Sequence, residues 1–262
     1  MNNHKFIIKK RFGQNFLNNE NILKKIVSIS NLKNKNIIEI GPGKGALTKH
    51  IIAQEPKSLF LIEKDKSLKP YLEKLIQEKE LQSKIIYNDV LKVNLSEITP
   101  DKKSIIIGNL PYNISTTLIV NLLTIMNDFA LMIFMVQSEV ANRLCAKVST
   151  KEYGRISVLS QLFCEIERIF DVSPENFFPK PKVNSTVIRI NPIKKITFRY
   201  EDIDFLLKKA FCFRRKKIRN NLLRYLPKIN YFDLEKKFDL DKRPQDFTPE
   251  EYLKISENLS LN

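Results

Sequence analysis

At 262 residues, 43% of them apolar, the chain is long enough to bury a core and to hold one large domain beside a small one. Lys and Arg number 45 against 29 Asp and Glu, a net charge of +16 that favours a polyanion such as nucleic acid or an anionic membrane surface. Three cysteines without a CxxC motif and few histidines exclude a disulfide framework and a zinc site, and no apolar run approaches the roughly 20 residues of a membrane span. The basic N-terminus lacks the apolar stretch of a signal peptide, so the expectation is a soluble, cytoplasmic protein. Lysine, with isoleucine and asparagine, is also abundant wherever a genome is AT-rich, but here the positive charge is clustered.

In chain order, "KNIIEI" (35–40) is short and β-branched and predicts a buried strand. "GPGKGALTKHIIAQ" (41–54) predicts a glycine turn entering a helix. "SLFLIEKD" (58–65), "KIIYNDV" (84–90), "SIIIGN" (104–109) and "FALMIFMV" (129–136) predict four more strands with helical stretches between, 66–79 among them. Strands alternating with helices mean βαβ units and a mostly parallel sheet. "EIERIFDVS" (165–173) and "VNSTVIRI" (183–190) instead alternate in period two across a Pro-rich turn, which predicts an antiparallel hairpin at the sheet edge. Beyond "NPIKK" the pattern turns helical and highly charged. The expected division is residues 1–192 as an α/β domain and 193–262 as a small all-helical one. Each cysteine is expected to pack as a small apolar residue.

Four strand ends carry the chemistry. Gly41 and Gly43 in "GPGKG" let backbone approach a ligand at a helix N-terminus, although the spacing is neither that of a dinucleotide fingerprint nor a P-loop, and a glycine turn can be purely structural. Glu63 follows the second strand, where a carboxylate can take both hydroxyls of a ribose. Asp89 follows the third and can accept from the exocyclic amine of an adenine. "GNLPYNIST" (108–116) follows the fourth.

The set "EIGPGKGALT", "IEKD", "NDV" and "GNLPYNIST" resembles Rossmann-like class I S-adenosylmethionine-dependent methyltransferases that modify adenine N6. "KRFGQNFL" (10–17), "QSEVANRL", "YGRISVLSQ", "FFPKPKVNSTVIR" and "FCFRRKKIRNNL" (211–222) narrow the resemblance to the bacterial 16S rRNA adenine N6-dimethyltransferase (KsgA) family, over essentially the whole chain. The last stretch is similar to the pattern F-x-Q-R-R-K-x-x-R-N-x-L, with a departure assigned to Arg214 in place of Gln, and it weighs against the related Erm enzymes of 23S rRNA. The resemblance implies dimethylation of two adjacent adenosines near the 3′ end of small-subunit 16S rRNA. It implies S-adenosylmethionine as cofactor and S-adenosylhomocysteine as product, a monomer, and neither metal nor membrane. A ribosome-assembly RNA-binding factor with little catalysis is the rival reading.

By that resemblance, Asn109 and the backbone carbonyl of Leu110 accept from the target amine, Pro111 fixes the turn, and Tyr112 and Phe178 stack on the base. Asn15, Leu17, Glu39, Gly41, Gly43, Glu63, Asp89, Val90 and Asn109 hold the cofactor. Lys9, Lys10 and Arg11, with Arg214, Arg215, Lys216, Lys217, Arg219 and Arg224 on a presumed helix 214–224, contact RNA phosphates. For any one of these cations, a solvated helix face is the competing reading.

Overall fold

Continuous apolar strands need cover on both faces, which is what alternating helices supply. The computed structural model of the protein describes residues 9, 13–77, 81–99, 103–193, 198–225 and 228–259. In order, the elements of its first part are β1 (Phe16–Leu17), α1 (Glu20–Val27), β2 (Asn36–Ile40), α2 (Ala46–Ile52), β3 (Ser58–Ile62), α3 (Lys69–Gln77), β4 (Gln82–Ile86), β5 (Ser104–Asn109), α4 (Ser115–Leu123) and β6 (Phe129–Gln137). There follow α5 (Ser138–Leu144), α6 (Arg155–Phe163), β7 (Cys164–Val172), β8 (Phe177–Phe178), β9 (Ser185–Pro192), α7 (Tyr200–Ala210), α8 (Ile218–Leu222), α9 (Lys228–Lys237) and α10 (Pro249–Leu259).

Seven strands form one sheet in the order β4-β3-β2-β5-β6-β9-β7. The pairs from β4 through β6 are parallel, and β9 runs antiparallel to β6. The interior strands read as unbroken apolar runs: every residue of β3 is buried, and so are the last four of β2. The two outer strands differ in kind. β4 carries Lys84, and β7 carries Glu165, Glu167 and Arg168, charges that blunt an edge against pairing with another chain. The predicted hairpin is present, with β9 inserted next to β6 and β7 outermost, and β8 in its connection pairs instead with β1.

The chain travels outward from β2 to β4, then returns to place β5 on the other side of β2. This reversal is the switch point beside which open α/β sheets bind ligands, at the carboxyl ends of the strands. Local signals set the elements around it. Asn19 caps α1, accepting from the backbone of Asn21 at 3.0 Å and Ile22 at 3.3 Å, with Glu20 in the first turn complementing the helix dipole. Inward residues of α1 and α2, including Leu23, Ile26, Leu47 and Ile51, pack on Ile37, Leu59, Ile105 and Ile133 of the sheet.

Two compact units make up the chain: residues 1–141 with 167–192, and residues 142–166 with 193–262. The division therefore departs from a single cut at residue 192. Residues 142–166 go with the C-terminal helices because their side chains are bonded there. The Tyr153 hydroxyl, fully buried, donates to the carbonyl of Phe247 at 2.9 Å, and Arg155 Nε donates to the Asp204 carboxylate at 2.9 Å. Tyr252, also buried, donates to the carbonyl of Pro244 at 2.6 Å and lies against the rings of Phe211 and Phe247. Ile203, Leu206, Leu207, Ile218, Leu222 and Ile255 complete this second core. Of the cysteines, Cys164 is buried and Cys145 half-buried as expected of packing residues, but Cys212 is exposed on a short 3-10 turn.

The sheet is closely packed at Gly108 on β5, where a Cβ would lie 2.6 Å from the carbonyl oxygen of Ile40 on β2. That neighbour is backbone and cannot yield without parting the strands. We expect Gly108→Ala to lower stability by about 1–3 kcal/mol, read as a shift of the urea midpoint at constant slope; an unchanged midpoint would show that the two strands separate freely.

Candidate active site

The carboxyl ends of β2, β3 and β5 and the loop after β4 open into one cleft, closed on a further side by residues 13–18. Among its lining are Asn15, Leu17, Glu39, Gly41, Gly43, Glu63, Asp89, Val90, Asn109, Leu110, Pro111 and Tyr112, so twelve side chains or turns assigned from sequence meet in a single place.

Gly41 and Gly43 both have positive φ, +66° and +59°, in the turn from β2 into α2. At Gly43 the missing side chain has a use beyond the backbone angle: a Cβ would sit 2.8 Å from Cε1 of Phe16. A side chain here would have to displace the Phe16 ring, so glycine lets the N-terminal segment lie close over the turn. Glu39, two residues before Gly41, is buried, and its Oε2 accepts from Thr48 Oγ1 at 2.7 Å. Burial drives its pKa from the ordinary 4.5 to about 8, the Thr48 bond acting against this and the charge of Glu63 adding to it.

Glu63 is buried as well but better compensated. Its Oε1 accepts from the backbone of Asp65 at 2.7 Å and its Oε2 from that of Gly43 at 3.1 Å. Burial still raises its pKa, with these backbone bonds offsetting part of the effect. The backbone of Lys64 bonds the same carboxylate, which as an acceptor-only group can still meet a ligand hydroxyl. Asp89 is more open. It accepts from Lys64 Nζ at 2.7 Å and from the backbone of Leu91 at 3.1 Å, and the Lys64 bond foremost lowers its pKa. Val90 follows it, buried, in a short 3-10 turn.

At the end of β5, Asn109 Nδ2 donates to the carbonyl of Asn15 at 2.9 Å. This commits the amine side of the amide to the N-terminal segment and presents its oxygen as an acceptor. The backbone of Leu110 donates to Met135 at 3.0 Å, and the carbonyl of Pro111 accepts from Ile114 and Ser115 at 3.1 and 3.2 Å. The turn thus joins the strand end to α4 with little freedom. The Tyr112 hydroxyl is held by Ser185 Oγ at 2.7 Å, and burial raises its pKa against that bond.

Two assigned groups fall elsewhere. Phe178, the expected second stacking wall, pairs across the two-residue ladder with Phe16, is 63% exposed and stands outside the cleft lining. The stretch 214–224 is not one helix. It runs from the 3-10 turn Phe211–Phe213 through an irregular turn into the five-residue α8. Counting from Phe211 also moves the departure from the family pattern: its Gln position is Phe213, and Arg214 matches the first Arg.

The basic residues themselves divide. Arg214 donates to the carbonyl of Lys151 at 2.9 Å and to that of Tyr153, while Lys217 and Arg219 both pair with Asp241 at 2.8 Å. Arg215 is exposed, and Lys216 and Arg224 lie over the ring of Phe213 at 5.0 and 5.8 Å. Lys9 is bound to Asp65 at 2.5 Å; Lys10 and Arg11 lie outside the described residues.

Sequence reasoning missed Asp65, Gln14, Thr48 and Ser185. Asp65 accepts from Lys9 and from Gln14 Nε2 at 2.9 Å. Its burial opposes ionisation, but the bonds from Lys9, Ser67 and Gln14 outweigh it and hold the pKa at about 2. The signal was present in "IEKD", whose second acid passes for surface decoration unless the N-terminal segment is known to cross it.

Among the described residues no group of three or more His, Cys, Asp or Glu is placed to hold a metal, and no helix is long and apolar enough to cross a membrane. The sequence model of the family described as ribosomal RNA adenine dimethylase matches residues 5–260. The chain is 40% identical to "Ribosomal RNA small subunit methyltransferase A" of Wolbachia sp. subsp. Drosophila simulans (strain wRi), over 97% of this chain and 95% of that one. It is 43% identical to the protein of the same name from Malacoplasma penetrans (strain HF-2), over 96% and 92%. A crystal structure of a dimethyladenosine transferase from Plasmodium falciparum superposes with a TM-score of 0.78 at 25% identity, covering 92% of this chain and 95% of that one. The 23S rRNA methyltransferase ErmE superposes with a TM-score of 0.70 at 22% identity, over 94% and 99%, and shares the fold. A glycine turn, two buried glutamates and an N-L-P-Y turn on one rim of a class I methyltransferase fold are thus accompanied by a family match over nearly the whole sequence, and the chain belongs to the ribosomal RNA adenine dimethylase family.

Proposed function

We propose that this protein uses S-adenosylmethionine to dimethylate the N6 amines of two adjacent adenosines in the 3′-terminal hairpin loop of 16S rRNA in the small ribosomal subunit. The observation that carries this reading is the Asn109 amide, fixed by Asn15 with its oxygen as acceptor, beside Tyr112 and above the Glu39–Glu63 rim. The small-subunit target rests on the names of relatives that are 40–43% identical over nearly the full length.

The residues present fit the cofactor. Glu63 can accept from ribose hydroxyls, Asp89 can accept from an adenine amine, and the Gly41–Gly43 turn leaves room for a ligand backbone. When bound, S-adenosylmethionine supplies a methyl group on a sulfonium. The ionised carboxyl of Glu39 would pair with an ammonium at the methionine end. An adenine amine is a poor nucleophile because its lone pair is delocalised into the ring. Asn109 Oδ1 and the carbonyl of Leu110 would accept its two hydrogens and free that lone pair, while the ring of Tyr112 stacks on the unpaired base. No strong base is needed, since the amine proton becomes acidic only as the new bond forms. Methyl transfer to undermethylated small subunits, with the modified nucleotides mapped, tests the whole reading; modification elsewhere, or none, overturns it.

Asn109→Ala should lower kcat by about 10²–10³-fold, as for other preorganised groups aimed at a reacting centre, while calorimetry with S-adenosylhomocysteine shows affinity held within a few-fold. Glu63→Ala should do the reverse, weakening S-adenosylhomocysteine by roughly 1.5–3 kcal/mol, or about 10- to 150-fold. A dissociation constant unmoved by that change would place the ribose elsewhere.

A third outcome follows from Glu39. Its folded pKa lies above the ordinary 4.5, at about 8, so the fold favours the neutral acid. That stability is fully present below the ordinary value and is lost as pH rises through the folded one, by up to about 1.4 kcal/mol per pH unit. Glu63 acts in the same direction. Glu39→Gln should therefore remove part of the decline in thermal midpoint between about pH 5 and pH 8, a window set by those two values. Parallel midpoint curves would show that Glu39 ionises freely in the folded protein.

A further inference from the structure

Half of the large apolar side chains most exposed among the described residues fall within one short stretch of the second unit: Phe205 at 42%, Phe213 at 44%, Leu223 at 46% and Tyr225 at 44%. Single exposed aromatics are ordinary. These are not single, because cations are interleaved with them. Lys209 Nζ lies 5.2 Å from the centre of the Phe205 ring and 3.9 Å from that of Tyr225. Lys216 and Arg224 stand over Phe213 at 5.0 and 5.8 Å, and Arg224 is joined in sequence to Tyr225. The result is one strip, Phe205, Lys209, Tyr225, Arg224, Phe213, Lys216.

Packing does not explain it. α7 turns Ile203, Leu206, Leu207 and Ala210 inward, which leaves Phe205 on its outer side. Phe213 is likewise left outside, exposed on its short 3-10 turn. The neighbouring cations Lys217 and Arg219 are committed to Asp241, whereas the three in the strip are set against rings.

Resting on the reading that the substrate is RNA, we propose that this strip binds unpaired RNA, its rings stacking bases and its cations meeting the intervening phosphates. A single strand presents a flat apolar base and a negative phosphate in alternation, which is the complement of rings and cations in alternation. A duplex hides its base faces and could use only the charges. The net charge of +16 adds attraction for the polyanion without choosing between the two, and the rings make the choice.

The test uses the full chain with Phe213→Leu and Tyr225→Leu, which remove the π face and keep the apolar bulk and every charge. The probe is a fluorescein-labelled oligouridylate of about 12 nucleotides, within the site sizes of single-strand binders, which has no adenine amine for the cleft. Each change should weaken it by about 5- to 150-fold with an unchanged salt slope, and should leave duplex RNA of the same length unaffected. Lys209→Gln with Lys216→Gln should instead flatten the slope by roughly 0.7 for each phosphate lost. Phe213→Tyr and Tyr225→Phe, which keep the rings, should retain binding and so separate stacking from folding. Unchanged affinity in the leucine variants, equal losses on duplex, or a loss confined to whole small subunits (the mark of a protein partner) each overturns the strip. Wild-type protein that methylates small subunits while its leucine variants bind oligouridylate normally fails this proposal alone. Wild-type protein that methylates no small-subunit rRNA fails the functional reading beneath it.

Discussion

The close approach of β2 and β5 at Gly108 is the constraint on which the cleft depends. With no side chain between Gly108 and the carbonyl of Ile40, the two strands end level with each other. The glycine turn leaving one strand and the N-L-P-Y turn leaving the other therefore face across a short gap. A Cβ at Gly41 would itself meet the carbonyl oxygen of Asn109 at 3.6 Å. The two turns line one cleft because the strands that carry them are immediate neighbours, and here the neighbour relation is a backbone contact.

Upon that frame the cleft accumulates buried negative charge, which is costly unless met by donors. The two glutamates are met differently. Glu63 has the backbone N–H groups of Gly43, Asp65 and Lys64, and Glu39 has one hydroxyl and the adverse field of Glu63. The less compensated carboxyl holds its proton toward neutral pH. Asp65, nearby, is met so fully by Lys9, Gln14 and Ser67 that it remains ionised and ties down the N-terminal segment. The same segment supplies the carbonyl that orients Asn109. Closure of the cleft and orientation of its acceptor are thus one structural event.

Charge counted along a sequence overstates what is available to a polyanion. Of the six basic residues between 214 and 224, Arg214 caps backbone carbonyls and Lys217 and Arg219 share one aspartate. Such exposed pairs contribute little to stability, but they reduce the cations at hand for phosphates. Of the three that remain, Lys216 and Arg224 lie over the ring of Phe213 and Arg215 is exposed, so the surface is more than a simple positive patch.

The parallel sheet was legible because buried strands must be apolar throughout and β-branched, and because glycine and proline punctuate them; that Glu63, Asp89 and Asn109 meet in one cleft was legible because they stand at the ends of neighbouring strands. Those regularities are local, and the residues alone express them. The second unit was only partly legible: its helices show in the periodicity, but that residues 142–166 belong with them depends on Tyr153 and Arg155 reaching partners about 50–95 positions away. Which of Phe177 and Phe178 faces outward was not legible for a similar reason, since neighbouring phenylalanines look alike until pairing with β1 turns one inward and the other out. The partners Thr48, Asp65 and Ser185, and the engagement of each cation, were decided by tertiary structure. A hydrogen bond between distant residues leaves no periodicity in the chain, and its partner is known only when folding brings the two together.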